Sequence, residues 1–310
     1  MPKSKQNHES KGFGLKLIDQ LQNEGSAHHE VINKIEKLTK RNLLCYTAFL
    51  GHPAGTISLD DSQIIEQLLR SIDLSKYPGT LDLLLHTPGG DPTAAERIIL
   101  TCRSYSKSFR VLIAHTAMSA GTLIAMGADS IVMTETAELG PIDPQMIINT
   151  PQGQSLRPAA AFVDAYKELI NKAQDAIARS QPPHPYLELL RKMDPTWIQV
   201  CLKARELSKT IATEFLKKFM LHDKTPQDIE KTIEYFVKEG ELLSHGRVIR
   251  HAKVKEYGLN VDVIKKGDEL DELLWELQLR CELYVQSRGF AKYFVSRTGG
   301  INMKVQKMPD

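Results

Sequence analysis

The chain is predicted to be an α/β protein built on a parallel sheet, and three features predict it. Short apolar runs of strand length alternate with segments whose apolar residues recur at helical spacing. Two of those runs finish in small-residue turns, Thr87-Pro88-Gly89-Gly90 and Met118-Ser119-Ala120-Gly121. Each turn opens directly into a helical pattern, which is the signature of strand–turn–helix units joined by right-handed crossovers.

Taken in order, Gly14 to Lys40 carries helical spacing in two pieces: Leu15, Ile18 and Leu21, then Val31, Ile32, Ile35 and Leu38. The polar segment Gln22 to His29 separates them, and His28 and His29 are expected to be solvated. Asn42 to Leu50 is a strand candidate. Asp60 or Asp61 is placed to cap a helix holding Ile64, Ile65, Leu68 and Leu69. Strand Leu81–Leu85, helix Thr93–Tyr105, strand Phe109–Ala114, helix Ala120–Gly127 and strand Ser130–Met133 follow. Met146 to Leu156, broken by Pro151-Gln152-Gly153, reads as a short hairpin or flap. Pro158 to Phe236 is almost wholly helical apart from the break Gln181-Pro182-Pro183-His184-Pro185. Gly246 to Tyr257 reads as a helix and Leu259 to Ile264 as a strand. Asp268 then caps a last amphipathic helix with Leu270, Leu273, Leu274, Leu277, Cys281 and Tyr284. The expected division is an N-terminal extension over 1–40, a catalytic domain over 41–264 with a helical insertion near 158–240, and a helix and tail over 265–310.

Composition narrows the function. Of 310 residues, 42% are hydrophobic and 25% charged, as in an ordinary globular protein. The 40 basic and 38 acidic residues are interspersed, for a net charge of +2, so nucleic acid is not an implied partner. No apolar run reaches bilayer length and no signal-peptide core follows the N-terminus. Cys45, Cys102, Cys201 and Cys281 lack metal-ligand spacing and sit in apolar patterns, so buried, reduced thiols and a cytoplasmic location are expected. No cofactor or metal is expected, and no Gly-x-Gly-x-x-Gly follows a strand to suggest a dinucleotide.

The two turns carry the chemistry. In open α/β sheets, sites form at the carboxyl ends of strands. A serine on a sharp strand-to-helix turn is held exposed, and a nearby Gly-Gly backbone can aim N–H groups at a developing oxyanion. Ser119 beside Gly89 and Gly90 therefore makes serine hydrolysis the leading expectation. Ala117 stands where the Gly-x-Ser-x-Gly elbow has its first glycine, so a plain helix cap is the competing reading. His86 and His115 stand just before the two turns, positioned either to enter the cleft or to lie in the core.

The run Asn42 to Gln145 resembles the superfamily of Clp-type peptidases and signal peptide peptidase A, which shares the crotonase fold. Thr87-Pro88-Gly89-Gly90, Met118-Ser119-Ala120-Gly121 and the strand Ser130–Met133 carry the likeness. Gly246-Arg247-Val248-Ile249 through Val254-Lys255-Glu256-Tyr257-Gly258-Leu259 resembles the closing helix and strand. The chain is most similar to the serine dehydrogenase proteinase branch, whose triad runs Ser, Asp, His. That resemblance implies a ClpP/crotonase-like fold and Ser119 as nucleophile. It implies an oxyanion hole from Gly89 or Gly90 and the N–H of Ala120. It also implies Asp143 as orienter and His245 as base. A homo-oligomer acting on polypeptides is implied in the same way.

Alternatives stay open at this level. A Ser–Lys dyad would draw its base from Lys167, Lys172 or Lys192, which must then be desolvated. A crotonase-like acyl-thioester enzyme would use the two oxyanion donors with Ser119 incidental. A non-catalytic oligomeric scaffold would keep only the fold. Trp197 and Trp275 read as core or interface residues, and Arg157, Arg247 and Arg250 as surface charge.

Overall fold

The computed structural model describes residues 26–150, 153–242 and 246–304. The first predicted helical piece, Leu15 to Leu21, lies outside them, as does His245. In chain order the elements are α1 (Ser26–Thr39), β1 (Leu43–Ala48), α2 (Leu59–Ser71), β2 (Thr80–His86), α3 (Pro92–Tyr105) and β3 (Ser108–Ile113). Then come β4 (Thr116–Ala117), α4 (Ala120–Met126), β5 (Ser130–Thr134) and β6 (Glu138–Leu139). The flap β7 (Gln145–Thr150) and β8 (Gly153–Pro158) leads to α5 (Ala159–Ala178), α6 (His184–Arg191), α7 (Pro195–Lys218) and α8 (Pro226–Leu242). The chain closes with β9 (Ile249–Arg250), α9 (His251–Glu256), β10 (Val261–Ile264), α10 (Glu269–Arg288), β11 (Phe290–Ser296) and β12 (Gly300–Lys304).

Seven strands form the main sheet in the order β10-β5-β3-β2-β1-β11-β12. The first five are parallel, with Tyr46 opposite Leu85, Leu84 opposite Leu112, and Ile113 opposite Met133. The α/β class is as expected, but the sheet is mixed: β11 pairs antiparallel with β1, and β12 with β11. Strand alternation divides the interior. Leu81, Leu83 and Leu85 face Ile65, Ile98, Leu123 and Phe215, whereas Leu84, Leu112 and Val132 face Ile32, Leu277 and Cys281. Helices on both faces explain why β1, β2 and β3 read as near-continuous apolar runs. A third, smaller cluster joins Ala159 and Val163 of α5 to Ile198 and Cys201 of α7, with Trp197 and the flap residue Met146 packed against it.

Several local readings change. Ser58 occupies the cap position of α2, and its N–H donates to Asp61 Oδ2 at 3.0 Å, so the aspartate is the reciprocal partner rather than the cap. Gly246 to Tyr257 is not one helix: Ile249–Arg250 pairs with β6 before α9 starts. His28 is buried between the rings of Tyr284 and Tyr293 instead of solvated. The four cysteines are free and buried, as expected. Among the described residues, no helix is long and apolar enough to cross a membrane.

Candidate active site

The carboxyl ends of β2 and β3 are stitched into one rigid floor. Thr87 N–H donates to Thr116 O at 3.2 Å, and Met118 N–H donates back to Thr87 O at 3.0 Å. The glycine turn therefore runs alongside the serine turn. Gly89 (φ +95°) is required by closeness as well as conformation. A Cβ there would stand 2.6 Å from Met118 O and 2.7 Å from Ser119 Cβ. Beyond the turn, Asp91 caps α3 through its carboxylate and Pro92 opens the helix.

Ser119 sits at the mouth of α4 with φ 50° and ψ −113°, a backbone state that costs a non-glycine residue on the order of 1–2 kcal/mol. Its hydroxyl makes no capping hydrogen bond. The bland alternative, a serine kept only to cap a helix, is thereby removed. The turn is held from below by Thr122, whose hydroxyl donates to Gly140 O at 2.8 Å and accepts from Gly140 N–H at 3.1 Å. Thr122 thus ties α4 to the run carrying Asp143.

Hydrogen-bond accounting separates the candidate donors. Gly89 N–H is engaged by Thr87 Oγ1 at 3.1 Å, and Gly89 O accepts from Ile57 N–H at 2.8 Å. Asp91 N–H donates to Ile57 O at 3.0 Å. Gly90 N–H, between them, and Ala120 N–H have no hydrogen-bond acceptor among the described residues. Both border the same cavity of about 660 Å³, with Ser119 on its floor. The loop Leu50 to Pro53 forms one wall. Ile147 and Leu156, directly opposed on β7 and β8, overhang another, and each is 60% exposed.

The remaining predicted residues fall unequally around this cavity. Asp143 is buried between Ile142 and Pro144, both of which line it, and Ile142 N–H is anchored on Phe236 O at 3.2 Å. Lys167, Lys172 and Lys192 are exposed and none lines the cavity. The Glu168 carboxylate beside Lys172, at 2.6 Å, raises its pKa, the opposite of what a base lysine needs. Ser208 of α7 also lines the cavity. Ser208 and Thr122 were not singled out from the sequence, and Thr87 only as the first residue of its glycine turn, because their roles depend on contacts that span the fold.

His86 and His115 do not enter the cleft. They turn to the other face of the sheet and stack with ring centroids 5.4 Å apart, beside Glu282 of α10. Burial pushes the His86 imidazole down to about 4, while the Glu282 carboxylate raises that of His115. Glu282 lies in a helix read only as amphipathic, so the sequence carried no signal for this cluster.

A serine on a strained strand-to-helix turn, above two parallel strand ends with uncommitted N–H groups, defines a ClpP-like α/β protein. Residues 17–177 match the model of the ClpP-like SDH-type serine proteinase family, and the chain belongs to that family. Two uncharacterized proteins of Methanocaldococcus jannaschii are similar to it. MJ1495 is 34% identical over 228 residues, covering 73% of this chain and 66% of its own length. MJ0137 is 32% identical over 206 residues, covering 66% of this chain and 60% of its own length. The chain thus spans somewhat less than two thirds of either relative. Among solved structures, the 1510-N membrane-bound stomatin-specific protease, in a serine-to-alanine form, aligns at 14% identity with a TM-score of 0.40. That alignment covers 70% of this chain and 79% of that one.

Proposed function

We propose that the protein is a serine peptidase that cleaves polypeptides through an acyl-enzyme, with Ser119 as nucleophile. The observation that carries this reading is Ser119 itself: a hydroxyl left without a capping bond, on a backbone held at positive φ. In the first step His245 accepts the Ser119 proton as Oγ bonds to the scissile carbonyl carbon, and Asp143 fixes the imidazole tautomer and stabilises its charged form. The carbonyl oxygen becomes an oxyanion between the N–H groups of Gly90 and Ala120. Losing one such donor costs about 3–4 kcal/mol in comparable enzymes. The C–N bond then breaks as His245 passes its proton to the leaving amine. Water, deprotonated by the same imidazole, hydrolyses the ester and restores Ser119.

The cavity favours an extended chain with apolar side chains, because Ile147, Leu156 and Leu123 present hydrocarbon around the serine. A homo-oligomer that encloses these sites, in the cytoplasm, completes the proposal. The test is covalent labelling with a fluorophosphonate probe. The wild-type protein should be labelled once per chain at Ser119, and Ser119→Ala should abolish labelling. His245→Ala and Asp143→Asn should each slow it by at least a hundredfold. A wild-type protein that stays unlabelled from pH 6 to 9 would sink the peptidase reading and leave a thioester-binding or scaffold protein.

A further inference from the structure

We propose that His86, His115 and Glu282 bind one divalent transition-metal ion of the zinc class, on the sheet face opposite Ser119. The three side chains each offer one ligand atom, all within 4.8 Å of one another. His86 Nε2 stands 3.3 Å and His115 Nδ1 3.6 Å from the same oxygen, Glu282 Oε1. Both separations are longer than a well-formed hydrogen bond. The first matches the edge of a tetrahedron, about 3.3–3.5 Å, that metal–ligand bonds of roughly 2.0–2.1 Å generate, and the second is slightly longer.

The surroundings point the same way. His86 is 1% exposed, so little water competes for its Nε2. Gln278 Nε2 donates to Glu282 Oε1 at 2.9 Å and orients that carboxylate, as outer residues do around metal ligands. Trp275 packs against His115 in a T-shaped arrangement, with ring centroids 6.4 Å apart. A fourth position opens toward solvent, since His115 is partly exposed and a small cavity of about 80 Å³ adjoins His86 and Glu282. Two imidazoles and one carboxylate suit zinc, nickel or cobalt, and disfavour magnesium and calcium, which take oxygen sets.

The site's position gives it a role. His86 ends β2 just before the Gly89–Gly90 turn, and His115 follows β3 just before Ser119. An ion there fastens both strand ends to α10 from beneath. Leu50 and Gly51 line this small cavity and also the one above Ser119. The ion acts as a structural clamp behind the wall of the active cavity.

The test uses the full-length, tag-free chain stripped with a chelator and titrated with Zn²⁺ or Co²⁺. One ion per chain should bind, Co²⁺ should give a tetrahedral absorption spectrum, and Zn²⁺ should raise the Tm. His115→Ala and Glu282→Gln should each weaken binding at least tenfold and remove the Tm increase. Binding that is absent in the wild type, or unchanged in both variants, overturns the proposal. Should a variant fail to fold, the Co²⁺-loaded wild type still decides. Paramagnetically shifted signals from two imidazoles support the site, and from one or none refute it. None of these readouts involves hydrolysis, so their failure leaves the peptidase reading untouched.

Discussion

Two glycines that line the cavity with Ser119 show how local chemistry sets the site. Gly89 allows its backbone to lie against the serine, and Gly90 lies in a parallel bridge to Ile57. A Cβ at Gly90 (φ +153°) would stand 2.4 Å from Ile57 N and 2.5 Å from Ile57 O, which are backbone atoms that cannot swing away. Gly90→Ala should therefore push the turn off Ile57 and displace the N–H assigned to the oxyanion. The expected outcome is a loss of roughly 2–3 kcal/mol of stability in urea unfolding. Ser119 labelling should slow by at least a hundredfold. A stable, fully reactive Gly90→Ala protein would show that this N–H is not a donor. The serine turn was legible in the sequence because small residues and strand ends announce it locally. The choice between Gly89 and Gly90 was not, since it rests on Thr87 Oγ1 taking up the Gly89 N–H.

At the scale of elements, the parallel strands β1, β2, β3 and β5 were legible as apolar runs, and the flap as a turn between short alternating segments. Strand β11 was not, although Phe290 to Ser296 is buried throughout. Its third residue is Lys292, which depresses any strand reading, and its pairing partner β1 lies more than two hundred residues away. The lysine is 1% exposed and fully compensated. Its Nζ donates to Asp61 at 2.7 and 2.9 Å and to Ser58 Oγ at 2.8 Å, while Tyr46 Oη donates to Asp61 at 2.6 Å. One buried ion pair thus joins the cap of α2, the centre of β1 and the added strand. Lys292→Met leaves the Asp61 carboxylate buried without its cation and should cost about 3–5 kcal/mol in denaturant unfolding. Adding Asp61→Asn should recover part of that loss, because the amide needs no counter-charge. If the double variant is no more stable than Lys292→Met, the two side chains are not coupled.

For the whole molecule, the last strands close the sheet edge and fasten its distant parts. Five parallel strands carry the candidate active site, but β1 is left with one unpaired edge until β11 covers it. The turn after β11 then reaches further. Arg297 donates to Glu36 of α1 at 2.7 Å, to Asn42 Oδ1 at 3.1 Å and to the carbonyl of Asp73, while its own carbonyl accepts from His29 Nδ1 at 2.9 Å. These contacts bind α1, the entry to β1 and the loop before β2 to residues that read from sequence as a tail. A chain ending at Arg288 would keep α10, with Glu282, and would lose β11, β12, Lys292 and Arg297 together. It would also present Leu43 to Ala48 as a flat apolar edge, the arrangement that invites strand addition by other copies. The truncated protein should therefore show no cooperative thermal transition by far-ultraviolet circular dichroism and should elute as aggregate in size-exclusion chromatography. Should it instead melt cooperatively near the full-length Tm, the parallel strands and their helices would suffice on their own, and closure by β11 would be an addition to a fold already stable.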